Sequence, residues 1–216
     1  MVRHSTTPTL TYLFDPLCGW CYGASPVLQQ LAQHHTLRLE LAPTGLFSGT
    51  GGRVMDAGFA AYAWSNDQRI QKLTGQNFTE TYRTQVLGKP GVRFDSAATT
   101  LALTAVSLTE PQRELAALTL MQEARYVQGQ DTSALSTVAD ILRQRGLAPA
   151  AELLLADDEA LKAANSTRVQ QAQQHMRDLG AQGVPALVLS QGGTQRLLRG
   201  ELLLGHIDTL LAVIAA

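Results

Sequence analysis

The spacing of apolar residues divides the chain into two flanking segments that contain strands and a long helical segment between them. Near the N-terminus, the apolar run 10–14 predicts a short buried strand that ends at Asp15-Pro16. The residues that follow have the spacing of a helix ending near His34, and 37–41 alternates apolar and polar residues as a second strand does. This order predicts a βαβ unit, whose crossover must be right-handed if the strands are parallel.

The middle of the chain, from residue 54 to residue 179, repeats apolar positions at helical spacing. The predicted helices are 55–73, 96–108, one that starts after Pro111, one from about 131 to Gly146, and 157–179. Alternation with a period of two is not evident in this segment. We therefore expect an all-helical insertion over 53–179.

The C-terminal segment returns to strands. Residues 185–189 form a β-rich run, 191–194 is a turn, 195–199 is a second short run, and 202–214 is an amphipathic helix. The order βαβ, helical block, ββα predicts an α/β fold with two domains. One domain is discontinuous and consists of 1–52 and 180–216, and the other is the helical insertion 53–179.

Composition narrows the classes of partner. The 216 residues carry 17 basic and 18 acidic side chains, a formal net charge of −1, with the two signs interspersed. This excludes nucleic acid and anionic membranes as expected partners. Apolar runs stay below transmembrane length, and the N-terminus leads into the first strand without the pattern of a cleavable signal. We therefore expect a cytoplasmic protein.

The residues with the clearest chemistry are Cys18-Gly19-Trp20-Cys21, which stand between the first strand and the first helix. Unpaired N–H groups at a helix N-terminus carry roughly half a positive charge, which favours a thiolate on Cys18 over the thiol. Cys21 lies one helical turn further and can reach the first sulfur. The spacing therefore favours a reversible disulfide, and a cysteine pair in a reducing compartment indicates redox chemistry.

Two other interpretations of the pair are weaker. A structural disulfide that closes so short a loop would constrain the unfolded chain little. A zinc site needs four ligands, and histidines would have to supply the rest. The histidines are His4, His34, His35, His175 and His206. Only His34 and His35 are neighbours, and adjacent helical residues do not face each other, so no metal site is expected.

The motif and the element order resemble the thioredoxin fold with a helical insertion, as in the DsbA-like family. Three features carry the resemblance: the Cys18–Cys21 motif after a strand, Pro26 in the following helix, and Gly183-Val184-Pro185 before a late strand. The segment 14–23 is similar to a cytoplasmic branch of that family described as FrnE-like or as predicted disulfide isomerases. The resemblance covers the whole chain.

The resemblance implies a protein-disulfide reductase or isomerase. In such an enzyme Cys18 attacks a substrate disulfide, Cys21 resolves the mixed disulfide, and a separate thiol system recycles the pair. Pro185 is expected in the cis form, which turns the Val184 backbone toward the sulfurs to pair with an extended substrate. Trp20 is expected to contact substrate. No bound cofactor is implied. The expected partners are a disulfide- or thiol-containing protein, or glutathione, which is also a candidate reductant.

Other positions admit two interpretations each. Asp15 is either a turn former or a proton acceptor for Cys21, and the turn is favoured. Leu46 and Phe47 lie in a glycine-rich loop, 43–52, either as a packed pair or as an exposed binding rim. Gly19 is an accessory position in the motif. A cation is missing between the cysteines, and Tyr12 stands where related proteins often bury an acid. We therefore expect a reduction potential in the reducing half of the range from about −120 to about −270 mV.

Two alternative functions remain open from the sequence. The first is a glutathione-dependent transferase or isomerase of the kappa or hydroxychromene-carboxylate isomerase type, in which a serine typically replaces Cys18. The presence of both cysteines counts against it. The second is a non-enzymatic partner-binding module that uses the helical block and the loop at Leu46 and Phe47.

Overall fold

The computed structural model describes residues 7–215. In chain order its helices and strands are β1 (Thr9–Phe14), α1 (Gly19–Gly23), α2 (Ser25–Ala32), β2 (Arg38–Pro43), β3 (Arg53–Val54), α3 (Ala57–Thr74), α4 (Glu80–Tyr82), β4 (Arg93–Phe94), α5 (Ala97–Thr109), α6 (Glu114–Tyr126), α7 (Leu135–Gln144), α8 (Ala148–Leu155), α9 (Glu159–Leu179), β5 (Ala186–Gln191), β6 (Thr194–Leu198) and α10 (Ile207–Ala215). A π-helical turn, Arg83–Leu87, extends α4.

Four strands form the central sheet in the order β2-β1-β5-β6. β1 is parallel to β2 and antiparallel to β5, and β6 is antiparallel to β5. In this register Tyr12 lies between Leu41 and Leu187. The βαβ and ββα segments that the sequence predicted at the two ends of the chain therefore join in one sheet, with β1 at its centre.

Helices cover both faces of the sheet, because successive side chains of a strand point to opposite sides. Leu10, Tyr12 and Phe14 belong to the main core, together with buried residues of α2 and α10. Leu13 points to the other face and packs near Ala172 of α9. Helix α9 thus covers the sheet, although the sequence-based division assigned it to the insertion, and the boundary at residue 180 separates it from the strands it contacts.

The insertion is helical, as expected, apart from one short ladder that the sequence did not predict. Arg53 pairs with Phe94, and Val54 with Arg93, in a short antiparallel ladder of β3 and β4. Two residues per strand are too few to produce an alternating pattern, and the pairing joins segments about 40 residues apart. Helix α8 was also not predicted, and α10 begins at Ile207 after a 3₁₀ turn, five residues later than expected.

Two further findings concern the described residues alone. Between residues 7 and 215, the helices are all too short or too polar to cross a membrane. The same part of the chain brings together no group of three or more His, Cys, Asp or Glu side chains that could hold a metal ion. His4, one of the histidines considered for zinc, lies outside the described residues.

Candidate active site

The turn between β1 and α1 places Cys18 at the N-cap of the helix. Its backbone N–H donates to the carbonyl oxygen of Asp15 (3.1 Å), and its own carbonyl oxygen accepts from Tyr22 N–H (3.0 Å), which starts the helix. The N–H groups of the first turn have no acceptor within the helix and carry its positive partial charge. The Cys18 side chain, 7% exposed, lies at this end and is reachable from solvent.

Cys21 lies one turn deeper and is fully buried. Burial is the main reason why the pKa of the Cys21 thiol is raised, and the hydrogen bond and charge of Cys18 add to it. The Asp15 backbone and the Tyr12 hydroxyl oppose this rise. Both cysteines are free thiols. Cys18, at the helix N-terminus, is therefore the more exposed residue of the pair, and the buried Cys21 behind it favours the protonated thiol.

Tyr12 lies beneath the motif, at the position where related proteins often bury an acid. Its hydroxyl donates to the carbonyl oxygen of Cys21 (3.3 Å), and its ring stacks on Phe14. Burial raises the pKa of Tyr12 well above its ordinary value, and the charges of Cys21 and Cys18 raise it further. Tyr12 therefore stays neutral and serves as a hydrogen-bond donor below the cysteine pair.

The loop before β5 is distant from the motif in sequence but contacts it in the folded protein. The Val184–Pro185 peptide bond is cis, as expected for Pro185. The Cys18 Sγ thiol donates to the carbonyl oxygen of Val184 at 3.8 Å. Trp20 is half-buried and, with Val184 and Pro185, lines one groove next to this contact. The structure thus brings the predicted substrate-binding residues together beside Cys18.

That groove has a volume of about 840 Å³ and mixes apolar walls with three exposed charged residues. Its apolar lining includes Leu73 and Leu197. The charged residues are Arg69 of α3, and Arg199 and Glu201 after β6. None of the three forms a salt bridge with another residue of the described chain. The groove therefore offers two cations and one anion to a ligand.

Asp15 anchors the loops around the motif. One carboxylate oxygen accepts from Leu17 N–H (2.9 Å), and the other accepts from Phe47 N–H (3.0 Å) and from the Ser96 hydroxyl (2.8 Å). Burial raises the pKa of this carboxyl, and these three hydrogen bonds lower it. Both oxygens are thus engaged by donors other than the cysteines, which supports the turn-forming interpretation of Asp15.

The loop residues Leu46 and Phe47 have different surroundings. Leu46 is 42% exposed and lines a separate cavity of about 550 Å³, next to Gly180 at the end of α9. Phe47 is half-buried and packs edge-on against Phe94. The pair is therefore not jointly exposed, and only Leu46 is available as part of a rim.

Gly19 is where α3 of the insertion meets the motif. A Cβ atom at this position would overlap Oδ1 of Asp67 and crowd the side chain of Ile70. Asp67 is buried, and its other oxygen accepts from the Tyr82 hydroxyl at 3.0 Å. A larger residue at position 19 would therefore displace the Asp67 side chain, because the insertion approaches the helix N-terminus closely.

The sequence did not identify Asp67, Tyr82, Arg125 or Tyr126 as part of the site. Arg125 is almost fully buried and lies over the rings of Tyr82, Phe94 and Tyr126, 5.3–6.0 Å from their centroids. The Tyr126 hydroxyl donates to the carbonyl oxygen of Leu17 (2.8 Å), directly before Cys18. No local motif marks these residues, since they lie about 50 to 110 positions from the cysteines.

A dithiol at the start of a helix, in contact with a cis-proline loop at the same edge of a sheet of this topology, defines a thiol–disulfide oxidoreductase. The chain belongs to the DsbA-like thioredoxin domain family, whose model matches residues 9–208. This confirms the thioredoxin fold with a helical insertion and the family resemblance derived from the motif. A search of curated protein sequences finds no match.

Solved structures agree with the family assignment. The cytosolic disulfide reductase DsbM from Pseudomonas aeruginosa is 31% identical, with a TM-score of 0.85 over 96% of this chain and 97% of DsbM. The same protein solved with GSH matches over the same shares of both chains, with 31% identity and a TM-score of 0.82. A candidate protein disulfide isomerase from Nitrosomonas europaea is 23% identical, with a TM-score of 0.78 over 96% of this chain and 97% of its own.

One solved structure belongs to the class considered as an alternative. A 2-hydroxychromene-2-carboxylate isomerase is 15% identical, with a TM-score of 0.59 over 96% of this chain and 94% of its own. At this identity the likeness concerns the fold. The oxidoreductase prediction is confirmed by the family and by the DsbM similarity, whereas the roles of the individual site residues stay predictions.

Proposed function

We propose that this protein is a disulfide reductase of the cytoplasm that acts on glutathione mixed disulfides or protein disulfides and is recycled by glutathione. The observation that carries the proposal is the contact of Cys18 Sγ with the Val184 carbonyl oxygen, at the mouth of a groove with unpaired charges. The 31% identity to a cytosolic disulfide reductase, which has also been solved with GSH, supports both the direction and the ligand.

The proposed reaction uses the two sulfurs in sequence. The Cys18 thiolate attacks one sulfur of the substrate disulfide, and the other substrate sulfur leaves as a thiolate that takes up a proton. Cys21 then loses its proton and attacks Cys18, which releases the second substrate thiol and leaves the Cys18–Cys21 disulfide. Two glutathione molecules reduce this bond and leave as oxidised glutathione. The two electrons therefore pass from glutathione to the substrate.

The groove beside Cys18 fits glutathione by charge. Glutathione has two carboxylates and one ammonium group at neutral pH, and the groove carries two guanidinium groups and one carboxylate. We propose that Arg69 and Arg199 pair with the carboxylates and Glu201 with the ammonium. The groove is larger than this tripeptide needs, so an extended peptide attached through a mixed disulfide fits along Val184 and Pro185.

The test compares a peptide–glutathione mixed disulfide as substrate for wild type and for the double variant Arg69→Ala/Arg199→Ala. We expect the KM to rise about tenfold, with little change in kcat, because exposed ion pairs each contribute up to about 1 kcal/mol. Arg145→Ala, an exposed arginine on the turn after α7, is the control and should keep the wild-type KM. An unchanged KM in the double variant would refute glutathione binding in this groove.

The transferase alternative has its own readout. The same protein is incubated with glutathione and an electrophilic test substrate, and conjugate formation is followed. We expect disulfide reduction without conjugation. Both cysteines of a redox pair are present here, whereas proteins of the transferase class typically have a serine in place of Cys18. Conjugation that persists in Cys21→Ser, together with no disulfide reduction by wild type, would favour the transferase.

A further inference from the structure

A second buried acid approaches the cysteine motif from the helical insertion. Asp67 of α3 is 5% exposed, and its Oδ1 occupies the space beside Gly19 that a larger side chain would fill. Its Oδ2 accepts a hydrogen bond from Tyr82 at 3.0 Å. One carboxylate oxygen therefore points at the first residue of α1, while the other is tied to α4.

The carboxyl and the Cys18 sulfur are at the same end of α1. Gly19 follows Cys18 directly, and the free N–H groups of this turn are the feature that stabilises an anion there. The charges of Asp67 and of Cys18 both affect the pKa of the Tyr126 hydroxyl. Burial raises the pKa of Tyr126 most, the charges of Tyr82, Asp67 and Cys18 raise it further, and Arg125 lowers it. Asp67 therefore lies beside Gly19, the residue that follows Cys18, at the N-terminal end of α1.

Few groups balance the charge of Asp67. Tyr82 of α4 donates one hydrogen bond, and Arg125 of α6 is the nearby cation. Arg125 is held over aromatic rings and makes no salt bridge with Asp67 within the described residues. Burial raises the pKa of Asp67 to about 7, and the Tyr82 hydrogen bond and Arg125 oppose this. The carboxyl therefore changes its charge near neutral pH.

We propose that Asp67 is a positioning residue that couples proton uptake to reduction of the cysteine pair. When it is ionised, Asp67 repels the Cys18 thiolate and favours the disulfide; when it is protonated, the thiolate is stabilised. The proposal requires Cys18 to be the sulfur held as a thiolate. It extends the oxidoreductase activity to a proton-linked potential and does not depend on glutathione as the physiological reductant.

Protons and electrons balance when the cysteine pair is reduced. The oxidised protein, with an ionised Asp67, takes two electrons and two protons from two thiols of the reductant, which become a disulfide. One proton goes to Cys21 and the other to Asp67, so Cys18 remains a thiolate. Oxidation runs in reverse, and Asp67 loses its proton as the thiolate disappears.

The experiment measures the equilibrium constant for reduction of the pair from pH 5.5 to 8.5 in wild type and in Asp67→Asn. Above pH 7 we expect the variant to favour the reduced form about tenfold more than wild type, because one repulsive charge is missing. Below pH 6 the two proteins should agree. A tenfold change corresponds to about 30 mV for this two-electron couple.

Two further variants separate charge from packing. Tyr82→Phe removes the hydrogen bond that lowers the pKa of Asp67, so Asp67 should stay protonated to a higher pH. The equilibrium constant of this variant, plotted against pH, should resemble that of Asp67→Asn near pH 7.5 and that of wild type at higher pH. Glu80→Gln removes an exposed carboxylate from the same short helix and should follow wild type throughout. If Asp67→Asn fails to fold, the displaced curve of Tyr82→Phe decides alone.

The outcomes discriminate clearly. An offset between Asp67→Asn and wild type that is the same at every pH, or no offset, would overturn the proposal. So would a Tyr82→Phe curve that coincides with wild type. Dithiothreitol is used as a parallel reference couple. If glutathione fails to reduce the pair but dithiothreitol does, the proposed function is wrong, and the coupling to Asp67 is still measured.

Discussion

Cys18 and Cys21 are one helical turn apart and have different surroundings. Cys18 caps the helix, is partly reachable and contacts the Val184 carbonyl oxygen, whereas Cys21 is buried above Tyr12. The raised pKa of Cys21 favours the protonated thiol. The two sulfurs are therefore expected to act in a fixed order.

This order predicts different phenotypes for the two serine variants. Cys18→Ser should reduce the rate of insulin disulfide reduction to the uncatalysed level, because no nucleophile remains at the helix N-terminus. Cys21→Ser should retain the attack but trap substrate as a mixed disulfide, which mass spectrometry of the non-reduced protein detects. Wild-type turnover in either variant would show that the assignment of roles is wrong.

At this scale the sequence singled out the candidate reacting groups but not their neighbours. The sequence could single out the two cysteines, Trp20 and Pro185, because their spacing and their positions relative to the predicted strands are visible along the chain. The hydrogen bonds of Asp15 agree with the favoured turn-forming interpretation, although its bonds to Phe47 and Ser96 were not foreseeable. Asp67 was missed, since an acid within an amphipathic helix is ordinarily on a solvated face.

At the scale of elements, the packing of α3 against α1 determines the geometry of the motif. Gly19 lets Asp67 and Ile70 approach the first turn of the helix. The helix itself is interrupted at Ala24, and Pro26 lies in the first turn of α2, where the lack of an N–H group costs no hydrogen bond. The active-site helix is therefore short and is held in place by the insertion.

Gly19→Ala tests this contact. The added methyl group overlaps Oδ1 of Asp67, so we expect a loss of about 1–3 kcal/mol in the free energy of unfolding, measured by urea denaturation. Gly205→Ala is the matched control because its Cβ would meet open space. Equal stability of the two variants would show that α3 does not constrain the motif.

Element boundaries show where local patterns are insufficient. The bounds of β1 were predicted within one residue and those of β5 within two, because each strand contains a continuous buried run. The β3–β4 ladder was missed because two-residue strands have no periodicity and depend on a partner distant in sequence. Helix α8 was missed because it is short and follows α7 after only three residues.

At the scale of the whole molecule, the insertion brings ionisable groups into the interior. Asp67 and Arg125 lie in a cluster of aromatic residues between the insertion and the motif. Burial raises the pKa of Asp67 from its ordinary value near 4 to about 7. The folded protein therefore binds a proton between these pH values that the unfolded chain releases.

The stability of the fold should reflect this proton. Because the folded pKa is the higher one, the stabilisation is present below pH 4 and is lost as the pH rises to 7, by at most about 4 kcal/mol. Asp67→Asn cannot lose this stabilisation, because its side chain does not titrate. The free energy of unfolding of the variant, relative to that of wild type, should therefore increase from pH 4 to pH 7. Urea denaturation across this range measures the difference.

An exposed acid provides the comparison for this stability measurement. Asp140→Asn on α7 removes a carboxylate that is 63% exposed, and it should shift stability equally at every pH. Parallel curves for Asp67→Asn and wild type would contradict a raised pKa in the folded protein. They would also weaken the proposed coupling to the cysteine pair.

The sequence by itself predicted the cysteine pair, the strands of the central sheet in their order along the chain, and the family, because motif spacing and hydrophobic periodicity are local properties. The tertiary structure alone decided what surrounds the sulfurs. Val184 reaches Cys18 from 166 residues away along the chain and Asp67 reaches Gly19 from 48 residues away, and only the folded sheet and the packed insertion bring them together. Burial, and with it the protonation state of Asp67 and Cys21, is a property of that packing and has no signature in any single segment.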